Sequence, residues 1–210
     1  MAQYRDSSGK ALTDYPRPSV AVDTAVLTVA GGELCVVVVD DPRDGSRRLP
    51  GTFLHEGEIL ADAVARSLAT KGGLAGLSPV QLQVFDALDR DDRGWVLSVA
   101  HVVAVASARL REARIAPVAE AGPLKYDHAE ILALAVARLR SDYLEHPDPW
   151  GLLGDEPVTL LELERLHRAV DPARRESKDT FRRLMEPQLT PVAGVREGTV
   201  GKPARLFLRA

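Results

Sequence analysis

The C-terminal part of the chain carries the residues best suited to bind a polyanion. In SKDTFRRLME, residues 177–186, Phe181, Leu184 and Met185 recur at i, i+3 and i+4, so a helix there would bury them on one face. Lys178, Thr180, Arg182 and Arg183 are then left facing outward. The run LTPVAGVREGTVGKPARLFLRA alternates apolar and polar residues around glycines, as two strands and a loop do, and adds Arg196, Lys202 and Arg205. A guanidinium can pair bidentately with guanine in a major groove, whereas an ammonium neutralises phosphate as a point charge. Arg182 or Arg183 is therefore expected to read bases, and Lys178, Lys202 and Arg205 to set affinity and register on phosphates. The charge distribution agrees. From Arg165 onward there are 11 Lys and Arg against 5 Asp and Glu, while Met1 to Gly154 carries 16 against 21, in a chain of net charge −3. A basic surface on an acidic protein is an electrostatic footprint of nucleic-acid binding. A small helical protein-interaction module would bury the same leucines but would leave the basic hairpin unexplained.

A second stretch, Gly51 to Leu74 (GTFLHEGEILADAVARSLATKGGL), resembles a Nudix box in outline. An intact box runs Gly, five residues, Glu, seven residues, then Arg-Glu-aliphatic-any-Glu-Glu-any-Gly-aliphatic. On that template Thr52 stands at the first glycine, Glu58 at the first glutamate, Arg66 at the arginine, Gly73 at the last glycine and Leu74 at the closing aliphatic. The three helical glutamates are replaced by Ser67, Thr70 and Lys71. A hard dication needs oxygen ligands, and Lys71 would set an ammonium where the metal should sit, so neither a metal nor a catalytic residue is expected here. An ordinary amphipathic helix would show the same apolar spacing, Ile59, Leu60, Ala63, Val64 and Leu68, with Gly72-Gly73 as its stop.

These groups need elements to position them. Strand-like runs at Val20–Val29 and Glu33–Asp40 precede the box, and Val80–Leu88 and Trp95–Ala106 follow it. That order predicts an α/β (α+β) chain with a Nudix-like α/β/α sandwich. Asp127–Tyr143 is an amphipathic helix with one broad apolar face, and HPDPWGLLGDEP after it interrupts regular structure, placing a boundary between residues 1–146 and 147–210. Beyond it, Thr159 and Glu162 form a capping box ahead of an inward stripe of Leu160, Leu163 and Leu166. Asp171-Pro172 offers N-cap and N1 chemistry for the next helix. Helix, helix and hairpin make a C-terminal winged helix-turn-helix. The chain is 45% hydrophobic and 27% charged, a soluble globular composition. One cysteine, Cys35 in an apolar run, allows no internal disulfide and fits a reducing cytoplasm. No apolar run is long enough to span a membrane.

Taken whole, the chain resembles the NrtR family, Nudix-related transcriptional regulators of NAD metabolism. The stretches carrying the resemblance are YPRPSVAVDTAVLTV, LPGTFLHEGE, RDDRGWVLSVAH, YDHAEILALAVARLR, DTFRRLM and GKPARLFLR. It implies a homodimeric repressor on a palindromic double-stranded operator near NAD synthesis or salvage genes, released when ADP-ribose or a related nucleotide fills the Nudix cleft. Without a metal, a bound pyrophosphate needs cationic side chains, for which Arg47, Arg48, Lys71, Arg90 and Arg93 are candidates. His55, Glu58 and Trp95 are further cleft candidates, each with an ordinary reading as a loop surface residue, a helix-start acid and a strand aromatic. His101 and His128 read as structural, His128 as a residue that caps or orients the long helix. That helix is the expected lever between cleft and linker. The rival activity is a nucleotide diphosphate hydrolase that recruits Glu58, Glu56 and Asp86 in place of the missing carboxylates.

Overall fold

In the computed structural model, residues 4–196 and 203–209 are described. The chain opens with the strand β1 (Ser19–Ala30), followed by β2 (Glu33–Val37), β3 (Val39–Asp40), β4 (Arg47–Arg48) and β5 (Gly51–Phe53). Helix α1 (Leu60–Gly72) precedes β6 (Val80–Phe85), β7 (Val96–Ala104) and β8 (Ile115–Pro117). Helix α2 (His128–Glu145) leads through a linker to α3 (Leu160–Val170), α4 (Lys178–Met185), β9 (Leu189–Arg196) and β10 (Ala204–Arg209).

The central sheet runs β6-β7-β1-β2-β8, with β5 also paired to β1. Strand β1 lies parallel to β7 and antiparallel to β2 and β5. It is buried on both faces, which explains its nearly unbroken apolar sequence. The two-residue side-chain period then sorts its residues. Val22 and Val26 join Ala63, Val64 and Leu68 of α1 in one core, while Ala25 and Leu27 join Ile131, Leu132, Ala135 and Leu139 of α2 in the other. The expected α/β/α layering follows. Ile59, which fits the apolar spacing of α1, is its N-cap and is exposed. Gly73 closes α1 at φ 63°, and the Leu74 N–H returns to the Leu68 carbonyl.

Val158, Leu163, Phe181, Met185, Leu189 and Phe207 form a separate small core under α3, α4 and the β9–β10 hairpin. Val158 also bridges Phe207, adding a third extended segment to the hairpin. The Thr159–Glu162 capping box is present. Three details differ from the sequence reading. Asp171 ends α3 rather than starting the next helix, and Ser177 is the cap of α4, its hydroxyl accepting from the Thr180 N–H. Leu184 is 48% exposed rather than inward. The leucines of α3 do not share one core, because Leu163 enters the C-terminal cluster whereas Leu166 and Val170 pack in the sheet core. Helix α3 therefore grips both parts. The linker is packed as well, with Leu152 in the sheet core and Asp148 accepting from the Leu152 and Leu153 N–H groups.

Candidate effector cavity and nucleic-acid interface

The ends of β1, β4, β5 and α1, the loop before β7 and the start of α2 enclose a cavity of about 170 Å³. Its lining includes Arg48, Lys71, Arg90 and Arg93. The loop architecture of the degenerate box persists around it. Arg66 donates to both Glu58 oxygens at 2.8 Å, to Thr52 Oγ1 at 3.0 Å and to the Phe53 carbonyl at 2.8 Å. Glu58 in turn accepts from the His55 N–H, and the Arg66 bond leads in holding its carboxyl down at about 2. Glu58 and His55 thus fix the loop, and neither lines the cavity.

The three substituted positions have separate fates. Ser67 is buried with no partner for its hydroxyl, and Thr70 donates back to the Arg66 carbonyl. Lys71 projects into the cavity and donates to the Gly51 carbonyl. Burial, with Arg48 adding like-charge repulsion, lowers its ammonium to about 8. An ammonium, a hydroxyl bonded to its own helix and a buried serine do not make a donor set for a hard dication. Among the described residues, no group of three or more His, Cys, Asp or Glu is arranged to hold a metal ion.

The cations divide into two kinds. Arg90 is committed internally, its side chain only 2% exposed, donating to Asp127 at 2.7 and 2.6 Å and lying 3.6 Å from Asp23. Arg48 has a buried Nε without a hydrogen-bond partner, 3.7 Å from Asp41. Arg93 is held by Asp91 at 2.8 and 2.6 Å, and its guanidinium lies 4.8 Å from the Phe53 ring and 5.1 Å from the Tyr126 ring. Arg48, Lys71 and Arg93 thus supply positive charge to the cavity. Arg47 points elsewhere, to the carbonyls of Glu120 and Ala121, and Trp95 is exposed outside the lining.

Sequence reasoning missed the polar floor. Asp23 accepts from Ser98 Oγ at 2.5 Å and stands 3.3 Å from His128 Nε2. Burial pushes its carboxyl up, but His128, Ser98 and Arg90 outweigh that and leave it below the ordinary range. His128 Nδ1 accepts from the Leu49 N–H at 2.9 Å, so Nε2 carries the proton toward Asp23 and the ring fixes the start of α2. Gly51 is required here, since a Cβ on it would lie 1.8 Å from Asp23 Oδ1. A lone aspartate in an apolar strand, on the face shared with Ala25 and Leu27, was the available signal. His101 is buried with Nδ1 3.0 Å from the Val99 carbonyl, and desolvation lowers it.

At the other end of the chain, Lys178, Arg182 and Arg183 are exposed on α4, with Thr180 half-buried in its first turn. Arg182 pairs with Glu186 at 2.8 Å and shares a groove with the exposed wing residue Arg205. Arg196 is tied to α3, 3.2 Å from Glu162 and donating to the Pro157 carbonyl at 2.7 Å. Lys202 lies outside the described residues.

This combination of parts has known counterparts. The chain is 26% identical over 222 residues to the ADPR responsive transcriptional repressor NtrR of Acinetobacter baylyi, covering 99% of this chain and 86% of that one. The crystal structure of Shewanella oneidensis NrtR complexed with a 27mer DNA matches at a TM-score of 0.76 and 28% identity, over 91% of this chain and 93% of that one. The chain is similar to NrtR over nearly its whole length. The NUDIX domain of Shewanella oneidensis NrtR, solved with ADP ribose, matches at a TM-score of 0.55 and 26% identity over 63% of this chain and 95% of that one. An ADP-ribose pyrophosphatase of Methanocaldococcus jannaschii is 30% identical over 124 residues, 56% of this chain and 73% of its own. A scan against family models finds no match. Within this chain, sheet, cavity, linker, helix pair and hairpin occur in one continuous fold, and no helix of the described residues is long and apolar enough to cross a membrane.

Proposed function

We propose that this protein is a cytoplasmic, homodimeric transcriptional repressor of NAD synthesis or salvage genes that leaves its operator when ADP-ribose or a related nucleotide occupies the cavity. Residues 1–146 form the sensing part and residues 147–210 the DNA-binding part. The observation that carries this reading is Lys71, an ammonium presented to the cavity from a helix position where a hydrolase would present a metal-binding carboxylate. With Arg48 and Arg93 it offers a pyrophosphate three positive charges and no activated water. ADP-ribose is therefore bound and left intact. Arg182 or Arg183 reads a base on one side of α4, Lys178 and Arg205 contact phosphates, and Thr180 lies in the turn that enters the groove. Lys202 takes the same phosphate role from the sequence alone.

The test is a mobility shift at fixed salt with DNA upstream of this gene and its NAD-pathway neighbours, with and without ADP-ribose. Specific binding released by ADP-ribose is expected, and specific binding that ignores it would transfer the effector role to another nucleotide. The likeness to an ADP-ribose pyrophosphatase favours hydrolysis as the second reading. It requires Glu58, Glu56 or Asp86 to act as substitute acids, yet Glu58 is bound up by Arg66 and His55. Sustained Mg²⁺-dependent cleavage of ADP-ribose, abolished in Glu58→Gln, would establish it.

A further inference from the structure

We propose that α2 is a rigid relay whose last turn, through Tyr143, Asp148, His167 and Arg174, sets the position of the recognition helix, α4, and of the wing, β9–β10, according to the occupancy of the cavity. The proposal rests on the regulatory reading above. An α-helix of 18 residues is about 27 Å long, enough to connect two distant sites as one body.

Its first end is built into the cavity. Asp127 holds Arg90 and His128 holds Asp23, and all three of Arg90, Asp23 and His128 line the cavity. The residue before them, Tyr126, has φ 59°, the one non-glycine in the left-handed region among the described residues. A tyrosine held there stores strain and persists only because its surroundings impose it. Those surroundings are cationic. The hydroxyl of Tyr126 accepts from Arg43 at 2.5 Å, and its ring faces Arg93 at 5.1 Å and Lys125 at 5.6 Å. An anion in the cavity competes with the ring for Arg93, so occupancy changes what holds the strained residue against the first turn of α2.

The second end is locked to the DNA-binding part. The Tyr143 carbonyl accepts from Arg174 Nη1 at 2.8 Å, and its hydroxyl donates to Asp148 Oδ1 at 2.5 Å. Asp148, whose side chain is fully buried, also accepts from Arg209 of β10 at 2.7 Å. The His167 ring meets Tyr143 edge-on at 5.1 Å and Phe181 at 4.9 Å, and Phe181 is the buried anchor of α4. His167 Nδ1 accepts from Arg174 at 2.9 Å, and its other nitrogen donates to the Pro147 carbonyl at 2.6 Å. The last turn of α2 therefore reaches the wing through one buried carboxylate and the recognition helix through one buried imidazole. Such buried, multiply bonded polar junctions hold discrete arrangements and resist gradual deformation.

The test measures operator affinity by fluorescence anisotropy at fixed salt, with and without saturating ADP-ribose, and takes the ratio as the coupling. ADP-ribose affinity of the free protein is measured by calorimetry in parallel. In Tyr143→Phe, which removes the bond to Asp148 without opening a cavity, and in Arg174→Gln, the ratio is expected to shrink by roughly 2- to 30-fold toward one while ADP-ribose affinity changes little. Arg138→Ala, which breaks only an exposed pair with Asp142, should keep the wild-type ratio. A wild-type ratio retained in both Tyr143→Phe and Arg174→Gln overturns the relay alone. A wild-type protein whose operator affinity ignores ADP-ribose refutes ADP-ribose as the effector and overturns the relay with it.

Discussion

Replacing Lys71 by Met removes one positive charge from the cavity and leaves a side chain of similar length, so binding and folding respond in opposite directions. An ammonium about 4 Å from a phosphate oxygen is worth about 4 kcal/mol at an effective dielectric of 20, and the net value of a charge-assisted hydrogen bond after desolvation is about 1.5–3 kcal/mol. Kd for ADP-ribose should therefore rise by about 10- to 100-fold. The free protein should become more stable. Burial, followed by repulsion from Arg48, holds the Lys71 ammonium at about 8, so at neutral pH the folded chain carries the cost of a partly desolvated charge that the unfolded chain does not. Discounted for the water the side chain still meets, Met should gain on the order of 1–2 kcal/mol, seen as a rise in Tm of roughly 2–4 °C per kcal/mol. The pH dependence supplies a third readout. Below about 8 Lys71 is charged and wild-type affinity is constant, and above it affinity falls as the proton is lost, whereas Lys71→Met is flat. Calorimetry in EDTA across this range, with differential scanning calorimetry of both proteins, checks all three. If Lys71→Met binds ADP-ribose as tightly as wild type in EDTA, the ammonium does not replace the metal and the argument fails.

Arg182→Ala should cost about 1–3 kcal/mol at one base pair if this side chain reads guanine, measured by anisotropy on single-base operator variants, while Arg205→Ala should weaken all sequences alike and lower the salt dependence. His167 is held at about 4, mainly by burial, so the unfolded chain takes up a proton that the folded chain refuses as pH falls from about 6.5 to 4. Stability should drop by on the order of 3 kcal/mol over that window, and urea unfolding should show a flatter profile for His167→Gln. In Gly51→Ala the new Cβ meets Asp23 Oδ1 at 1.8 Å and the Val22 carbonyl at 3.0 Å, so the variant should lose about 2–4 kcal/mol by the same assay.

The layered sheet was legible because β1 reads as a continuous apolar run and α2 carries helical spacing, and once β1 is extended Val22 and Leu27 fall on opposite faces. Local capping chemistry was less informative, since Asp171-Pro172 and Ser177 satisfy the same rules and only packing of Phe181 and Met185 selects Ser177. Prolines and glycines marked correctly where regular structure stops after α2, but they carry no information about burial. That is why the linker reads as a break in sequence and appears as the Asp148 junction in the fold. Positive residues near the box were easy to name, but their partners were not. Arg90 is consumed by Asp127, which lies 37 residues away in sequence, and no local pattern reveals that.

The substitution of Lys71 for a carboxylate alters what the same cleft does with the same charge. A metal held by glutamates neutralises a pyrophosphate and also lowers the pKa of bound water, so binding leads on to attack. In the proposed reading an ammonium and two guanidiniums would neutralise it without generating a nucleophile, so occupancy would persist for as long as the ligand concentration sustains it. Signalling requires that persistence, because a ligand shifts a two-state equilibrium only through its differential affinity while bound. The structure adds the asymmetry that makes such a difference usable. Asp127 and His128 bond directly to residues of the cavity lining, and fifteen residues after His128 along the same helix Tyr143 bonds to the supports of α4 and β10. In the proposed regulator, loss of metal chemistry and retention of this connection would be complementary, since the first would keep the ligand in place and the second would give its presence a mechanical consequence at α4 and the hairpin.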